Sequence, residues 1–156
     1  MKKFFQSFRA AGRGILFCLN HERNMRIHTV VTVYVLLFLR FFNLSPGETA
    51  ILFLAFGLVM GAEMLNTAIE GLTDMKSPEF SKTARIVKDI AAGAVLVCAV
   101  FSVCVAACLF ANLQGLTAIW RFFYPYPWRI LALTAFTALC VCFIIFGFPT
   151  GRKHRK

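Results

Sequence analysis

AEMLNTAIEGLTD, the stretch from Ala62 to Asp74, decides the fold. Wound as a helix at about 100° per residue, it places Glu63, Asn66, Glu70 and Asp74 in one narrow stripe, with Thr67 beside them. The other sides of that helix are apolar or small. Upstream, Thr49 to Ala62 carries no charge, so the stripe closes a run long enough to enter hydrocarbon. Carboxylates and an amide at or below a membrane surface are expensive, and a spanning helix that keeps them marks a functional site. Asp74 alone reads equally well as a surface charge past the helix end. For Glu63 that bland reading is weak.

Working outward, the 156 residues are 59% apolar and 15% charged, with a mean hydropathy of +0.71. This composition belongs to integral membrane proteins and leaves no room for a soluble domain. Thr49 to Ile69, Ile90 to Leu113 and Ile130 to Phe148 are each long enough to cross about 30 Å of hydrocarbon. Ile27 to Phe42 is shorter and carries His28 and Arg40 near its ends, so it spans if these side chains snorkel to the interfaces.

Met1 to Leu19 has basic residues threaded through it and no small-residue cleavage pattern, which excludes a secretory signal. As a helix it gathers Phe4, Phe5, Phe8, Ala11, Ile15, Leu16 and Leu19 on one side and Lys2, Lys3, Gln6, Arg9 and Arg13 on the other. Such a helix lies on an anionic leaflet. Of the 17 basic residues, all but Arg40, Arg121 and Arg129 fall at one side of a four-span arrangement. The positive-inside rule makes that side cytoplasmic, with both termini and the Asp74 to Asp89 loop. The net charge of +10 is then met by anionic lipid and phosphorylated substrates, with no nucleic acid needed.

NHERNMRIH, Asn20 to His28, forms a polar patch before the first span, where Glu22 has a local ion pair with Arg26 at i+4 as its simplest role. NLSPG at Asn43 to Gly47 is a tight turn with Ser45 or Pro46 ready to start the next helix. Gly57 and Gly61 form a small-xxx-small pair that suits a close helix neighbour in this chain or an oligomer. Ser77-Pro78-Glu79 reads as a helix start running into the third span. Lys88 and Asp89 then reach the membrane surface just before the small residues Ala91, Ala92, Gly93 and Ala94. Gln114 to Trp128 is an external connection whose aromatics form an interfacial belt. The last span has only threonines as polar residues and reads as scaffold. Cys18, Cys98, Cys104, Cys108, Cys140 and Cys142 sit in apolar stretches without CxxC, and read as packing residues.

At one face the chain thus collects Glu22, Glu63, Asn66, Glu70, Asp74, Lys88 and Asp89. Carboxylates with an amide and a lysine suit Mg²⁺ and phosphate chemistry, whereas no His or Cys cluster suits zinc. No GxxxxGK[ST] loop or protein-kinase motif set occurs, so any nucleotide site must be built from helix side chains.

EMLNTAIEGLTD at Glu63 to Asp74, followed by KDIAAGAVLV at Lys88 to Val97, resembles the signature of the small prokaryotic membrane lipid kinases, the diacylglycerol and undecaprenol kinases. The resemblance covers roughly Phe8 to Leu113. ERNMRIH, Glu22 to His28, is similar to the undecaprenol kinase branch of Gram-positive bacteria; the diacylglycerol kinase branch carries an acid at the position of His28. The resemblance implies an all-α membrane protein with an amphipathic surface helix and a three-span core in residues 1–113. Residues 114–128 are then an external aromatic connection, and residues 129–156 an extra transmembrane helix with a basic tail. It further implies a homotrimer in the bacterial plasma membrane, its active site cytoplasmic.

Carried over by position, Glu63 would be the general base on the lipid hydroxyl. Glu22 and Glu70 would hold Mg²⁺ on the ATP phosphates, and Asn66, Lys88, Asp89 and Arg13 would face the nucleotide. Asp74, Arg26 and His28 would support them. The acceptor would be a membrane lipid alcohol, undecaprenol first and diacylglycerol next. Helix rise agrees, since it sets Glu63 roughly 10 Å deeper than Glu70. Phe80 and Ser81 depart from a Tyr-His pair common at that point of the family. Two other classes compete: a small proton-coupled transporter with Glu63 as the coupling carboxylate, and a non-catalytic scaffold. The transporter needs one membrane acid and leaves the graded stripe idle; the scaffold leaves every buried acid unexplained.

Overall fold

The computed structural model describes residues 2–76 and 81–148, and among these there are helices and turns but no strand. Six helices follow one another: α1 (Lys2–His21), α2 (Arg23–Phe38), α3 (Pro46–Lys76), α4 (Lys82–Phe110), α5 (Leu113–Phe123) and α6 (Pro127–Phe146), with a 3-10 turn at Leu39–Phe41. Four of them are long and apolar enough to cross a membrane, at Arg23–Phe41, Pro46–Met75, Lys82–Phe110 and Pro127–Phe146. The chain is an all-α membrane protein with an amphipathic helix at its N-terminus.

The capping of α3 follows from the NLSPG turn. Glu48 Oε2 accepts from Ser45 N and Oγ at 2.7 Å each, while Ser45 Oγ accepts from Glu48 N at 3.3 Å. With Pro46 at the first helical position, this is a capping box that fixes where the helix enters. The 31 residues of α3 extend about 46 Å, more than a bilayer core needs. About 20 residues from Pro46 suffice for the crossing, which sets Glu63 just inside the far surface and Glu70 and Asp74 beyond it.

α3 and α4 form the central pair, with α2 on α3 and α6 on the other side of α2. The seam of α3 is the stripe Leu52, Ala55 and Val59, all buried, and Glu63 continues it one turn further. α4 answers with Ala91 and Val95, and with Ser102, whose hydroxyl donates to Cys98 O at 2.9 Å and reaches Ala55 O at 3.3 Å. Gly57 and Gly61 are exposed and have open space around them, so within this chain they pair no helix.

α1 leaves its phenylalanines Phe4, Phe5 and Phe8 exposed and buries Cys18 where it meets the bundle. That is the geometry of a helix lying in an interface with its greasy side in lipid.

The ends differ from the sequence reading in two places. α4 starts at Lys82 after an extended Ser81 (φ −84, ψ 129), so it is not a continuation of a helix begun at Ser77-Pro78-Glu79, and those three residues lie outside the described ones. Phe80 and the basic tail at 151–156 lie outside them too. The aromatic connection contains the helix α5, capped by Asn112, whose side chain accepts from Gln114 N at 2.8 Å. Gly115 on α5 is where the Phe42 ring rests: a Cβ there would lie 2.3 Å from ring carbons.

Arg26 binds the two ends of the chain together. It is 7% exposed, and its Nε donates to Ile144 O at 2.9 Å while Nη1 donates to Asn20 O at 2.9 Å and reaches Leu19 O at 3.4 Å. Carbonyls at the C-termini of α1 and α6 have no partners of their own, and the guanidinium fork supplies them. Gly147, at φ 68, turns the chain away beside that guanidinium, and a Cβ there would lie 3.2 Å from Arg26 Nη1. Glu22 makes no ion pair with Arg26, because the guanidinium is committed to backbone carbonyls.

Candidate active site

Glu63 is the most enclosed charged side chain of the described residues, 2% exposed. Helix phase puts it on the seam of α3, and α2 brings His28 against it, with His28 Nε2 3.4 Å from Glu63 Oε1. That contact lacks hydrogen-bond geometry, so Oε1 is left without a donor. The carboxylates of Glu22 and Glu70 are both near enough to repel it through space. Three acids from the α1–α2 elbow and from α3 therefore share one region, at the same end of the bundle.

Each arrives there for a local reason. Glu22 occupies the break between α1 and α2 in extended conformation (φ −100, ψ 117), and its side chain does not cap α2. Its carboxylate is thus free for another partner. Asn66, one turn beyond Glu63, donates from Nδ2 to Glu70 Oε1 at 2.9 Å, which leaves Asn66 Oδ1 buried and unpartnered. Thr67 Oγ1 donates to Glu63 O at 3.0 Å and so turns inward along its own helix.

The remaining site candidates gather less closely. Lys88 Nζ is hydrogen-bonded to Asp74 Oδ1, an ion pair that ties α3 to α4 at the outer end of the stripe. Asp89 is exposed and lies 4.0 Å from Arg85, one turn earlier on α4. Arg13 is exposed on α1 and makes no ion pair among the described residues. Arg26 acts on the elbow that carries Glu22.

From His28 an apolar groove of about 240 Å³ opens between α2, α3 and α4, lined by Val31, Val35, Val59, Met60 and Ser102 among others. From His28 to Val35 it follows α2 for about 10 Å. Sequence reasoning did not name these lining residues, since apolar side chains in a spanning helix carry no individual signal. The direct meeting of His28 with Glu63 was equally hidden, although both residues were singled out.

Two buried oxygens, on Glu63 and Asn66, lack donors, and two further carboxylates, of Glu22 and Glu70, lie near Glu63. Among the described residues no three Asp, Glu, His or Cys side chains form a ready metal cage. Mg²⁺ does not require one: it is usually held by one or two carboxylates with water and substrate phosphates. Glu22 and Glu70 fit that pattern.

Helical spans, a surface helix, a cluster of acids at one end of the bundle and an apolar groove headed by His28, the side chain in contact with Glu63, suit an integral-membrane enzyme that works on lipid. The model of the family described as prokaryotic diacylglycerol kinase matches residues 9–110, and the chain belongs to that family of membrane lipid kinases. It is 40% identical over 104 residues to a diacylglycerol kinase of a Synechocystis species, covering 66% of this chain and 59% of that protein. It is 39% identical over 110 residues to the undecaprenol kinase of Bacillus subtilis, covering 70% of this chain and 89% of that one. No solved structure matches the chain. The family match ends at residue 110, so α5 and α6 lie beyond it.

Proposed function

We propose that this protein transfers the γ-phosphate of ATP to the hydroxyl of a membrane lipid alcohol, with undecaprenol as the acceptor. The observation that carries the reading is the unpartnered Oε1 of Glu63, buried against His28, which lines the head of an apolar groove. A buried carboxylate oxygen without a donor costs roughly 1–3 kcal/mol in proteins, and a lipid hydroxyl entering from the groove would supply the donor.

In this mechanism the lipid hydroxyl donates to Glu63 Oε1, with the hydrocarbon chain in the groove toward Val35. Glu63 takes the proton as the oxygen attacks the γ-phosphorus. The bond from that phosphorus to the β,γ-bridging oxygen breaks, and ADP leaves with the electron pair. Mg²⁺ held by Glu22 and Glu70 would neutralise charge on the phosphates, which is most of what phosphoryl transfer asks of a protein. Asn66 stays fixed by Glu70, with its Oδ1 buried and without a donor. His28 lies against Glu63 from the α2 side.

Undecaprenol is preferred to diacylglycerol for a reason local to the site. The two branches of the family differ at the position of His28, and His28 is the side chain in contact with Glu63. An acid there would add a fourth negative charge to three, whereas imidazole adds none when neutral and a favourable one when protonated. Diacylglycerol remains the second reading because one relative of 40% identity is a diacylglycerol kinase. The deciding experiment offers both lipids at equal mole fraction to the purified protein with Mg²⁺ and labelled ATP. Label in polyprenyl phosphate at a rate at least about tenfold above phosphatidic acid is expected. A reversed ratio assigns diacylglycerol, and transfer to neither removes the kinase reading.

The orientation proposed is both termini and the site in the cytoplasm, in the plasma membrane of a bacterium. The assembly proposed is a homotrimer, for which the exposed Gly57 and Gly61 on α3 offer a close-approach face.

A further inference from the structure

At the end of the bundle remote from Glu63, two guanidinium groups converge on one ring. Arg40, in the turn after α2, lies 4.6 Å from the centroid of Phe122, and Arg129, in the first turn of α6, lies 4.1 Å from the same centroid. Their charges are therefore no more than about 9 Å apart, the sum of the two distances. Arg129 is further held by the rings of Tyr126 and Trp128 and donates from Nη1 to Phe122 O at 2.8 Å. Neither arginine has a carboxylate within ion-pair distance among the described residues. Glu48, the acid on that side, is committed to Ser45.

Two unneutralised cations this close repel, and in a partly apolar setting the repulsion is not screened as it is in bulk water. An anion between them would turn that repulsion into attraction. Both arginines also line a cleft of about 460 Å³ between α2 and α6. The cleft runs from Arg40 to Val33 on α2 and from Arg129 to Phe136 on α6, seven residues on each helix, or about 10 Å down from the guanidiniums. Its walls beyond the arginines are Leu37, Phe38, Leu133 and similar side chains. A charged mouth over an apolar slot that points into the membrane has the shape of one kind of ligand. Independent aromatic anchors would have no reason to bring two like charges to a shared ring.

We propose that this cleft binds an anionic phospholipid, with its phosphate between Arg40 and Arg129 and an acyl chain along α2 and α6. One wall of the site, α5 and α6 with Arg129, lies beyond the family match, the other is α2 with Arg40, and the site does not depend on the lipid kinase reading. It gives the added span a ligand of its own.

The test uses the full chain in a Trp120→Phe background, where Trp128 at the cleft is the one remaining tryptophan of the two. In phosphatidylcholine vesicles, chain-brominated phosphatidylglycerol should quench Trp128 at a mole fraction about tenfold lower than chain-brominated phosphatidylcholine does. Arg40→Gln, an exposed side chain with no hydrogen bond to lose, should erase about fivefold of that preference, and Arg40→Lys should keep part of it. Equal quenching by the two lipids would reduce the cleft to an aromatic belt and overturn the proposal. So would a preference unchanged in Arg40→Gln. Trp128 shielded from both lipids would mean that a second copy of the chain covers the cleft, which also overturns it.

Discussion

Glu63 combines two properties that seldom coexist in a stable fold: it is nearly inaccessible, and one of its oxygens lacks a donor. Replacing it with Gln keeps the volume and removes the base. Phosphate transfer to lipid should fall about 10²- to 10⁴-fold, the usual worth of a positioned base, while circular dichroism in detergent stays that of the parent. Glu70→Gln tests the metal assignment separately. It should raise the Mg²⁺ concentration for half-maximal rate by about tenfold or more, since even outer-shell changes at metal sites cost about 10- to 100-fold. An unchanged Mg²⁺ titration would take Glu70 out of that role. The stripe holding these residues was legible from spacing alone, because carboxylates at three- and four-residue intervals share one face of an apolar helix, where lipid penalises charge that has no task. What spacing could not show is which of them face one another from different helices. The Lys88–Asp74 pair and the His28–Glu63 contact join residues whose separation in sequence obeys no period.

At the scale of elements, Arg26 is the fastener between the α1–α2 elbow and the end of α6. Its three carbonyl acceptors are backbone groups, which no residue type announces, so the sequence suggested a local pair with Glu22 instead. Arg26→Gln should lower stability by about 1–3 kcal/mol, read as an earlier thermal transition in detergent, because buried acceptors lose a charged donor. Arg26→Lys should recover only part, as a lysine cannot span acceptors on two helices with one planar fork. Gly115 and Phe42 make a similar point for α5. Gly115→Ala should be destabilising by about 1–3 kcal/mol, since the ring must move to admit a methyl group. Gly57→Ala, in open space and mid-helix, should be neutral or stabilising in the monomer. The helix α5 itself had a signal in Asn112 and Gln114, an N-cap pattern obscured by the aromatic and proline residues that follow.

For the whole molecule, composition and four apolar runs were enough to define an all-α membrane protein, since only helices and closed barrels satisfy the backbone in lipid. The packing order was not available from that pattern: α6 could have closed a bundle with α3 and α4, yet it lies on α2. If the four candidate spans all cross with the cytoplasmic orientation proposed above, reporter tags at the two ends should both be inaccessible from outside intact cells. Exposure of one end alone would change the number of crossings, and exposure of both would reverse the orientation. The central claim is that the elbow and α3 build one phosphoryl-transfer site around Glu63. It is tested most directly by comparing transfer of labelled phosphate from ATP to polyprenol by the wild type and by Glu63→Gln in the same vesicles. The expected result is Mg²⁺-dependent label in the lipid for the wild type and a loss of at least about a hundredfold for the variant. Transfer of equal rate by both proteins would contradict it.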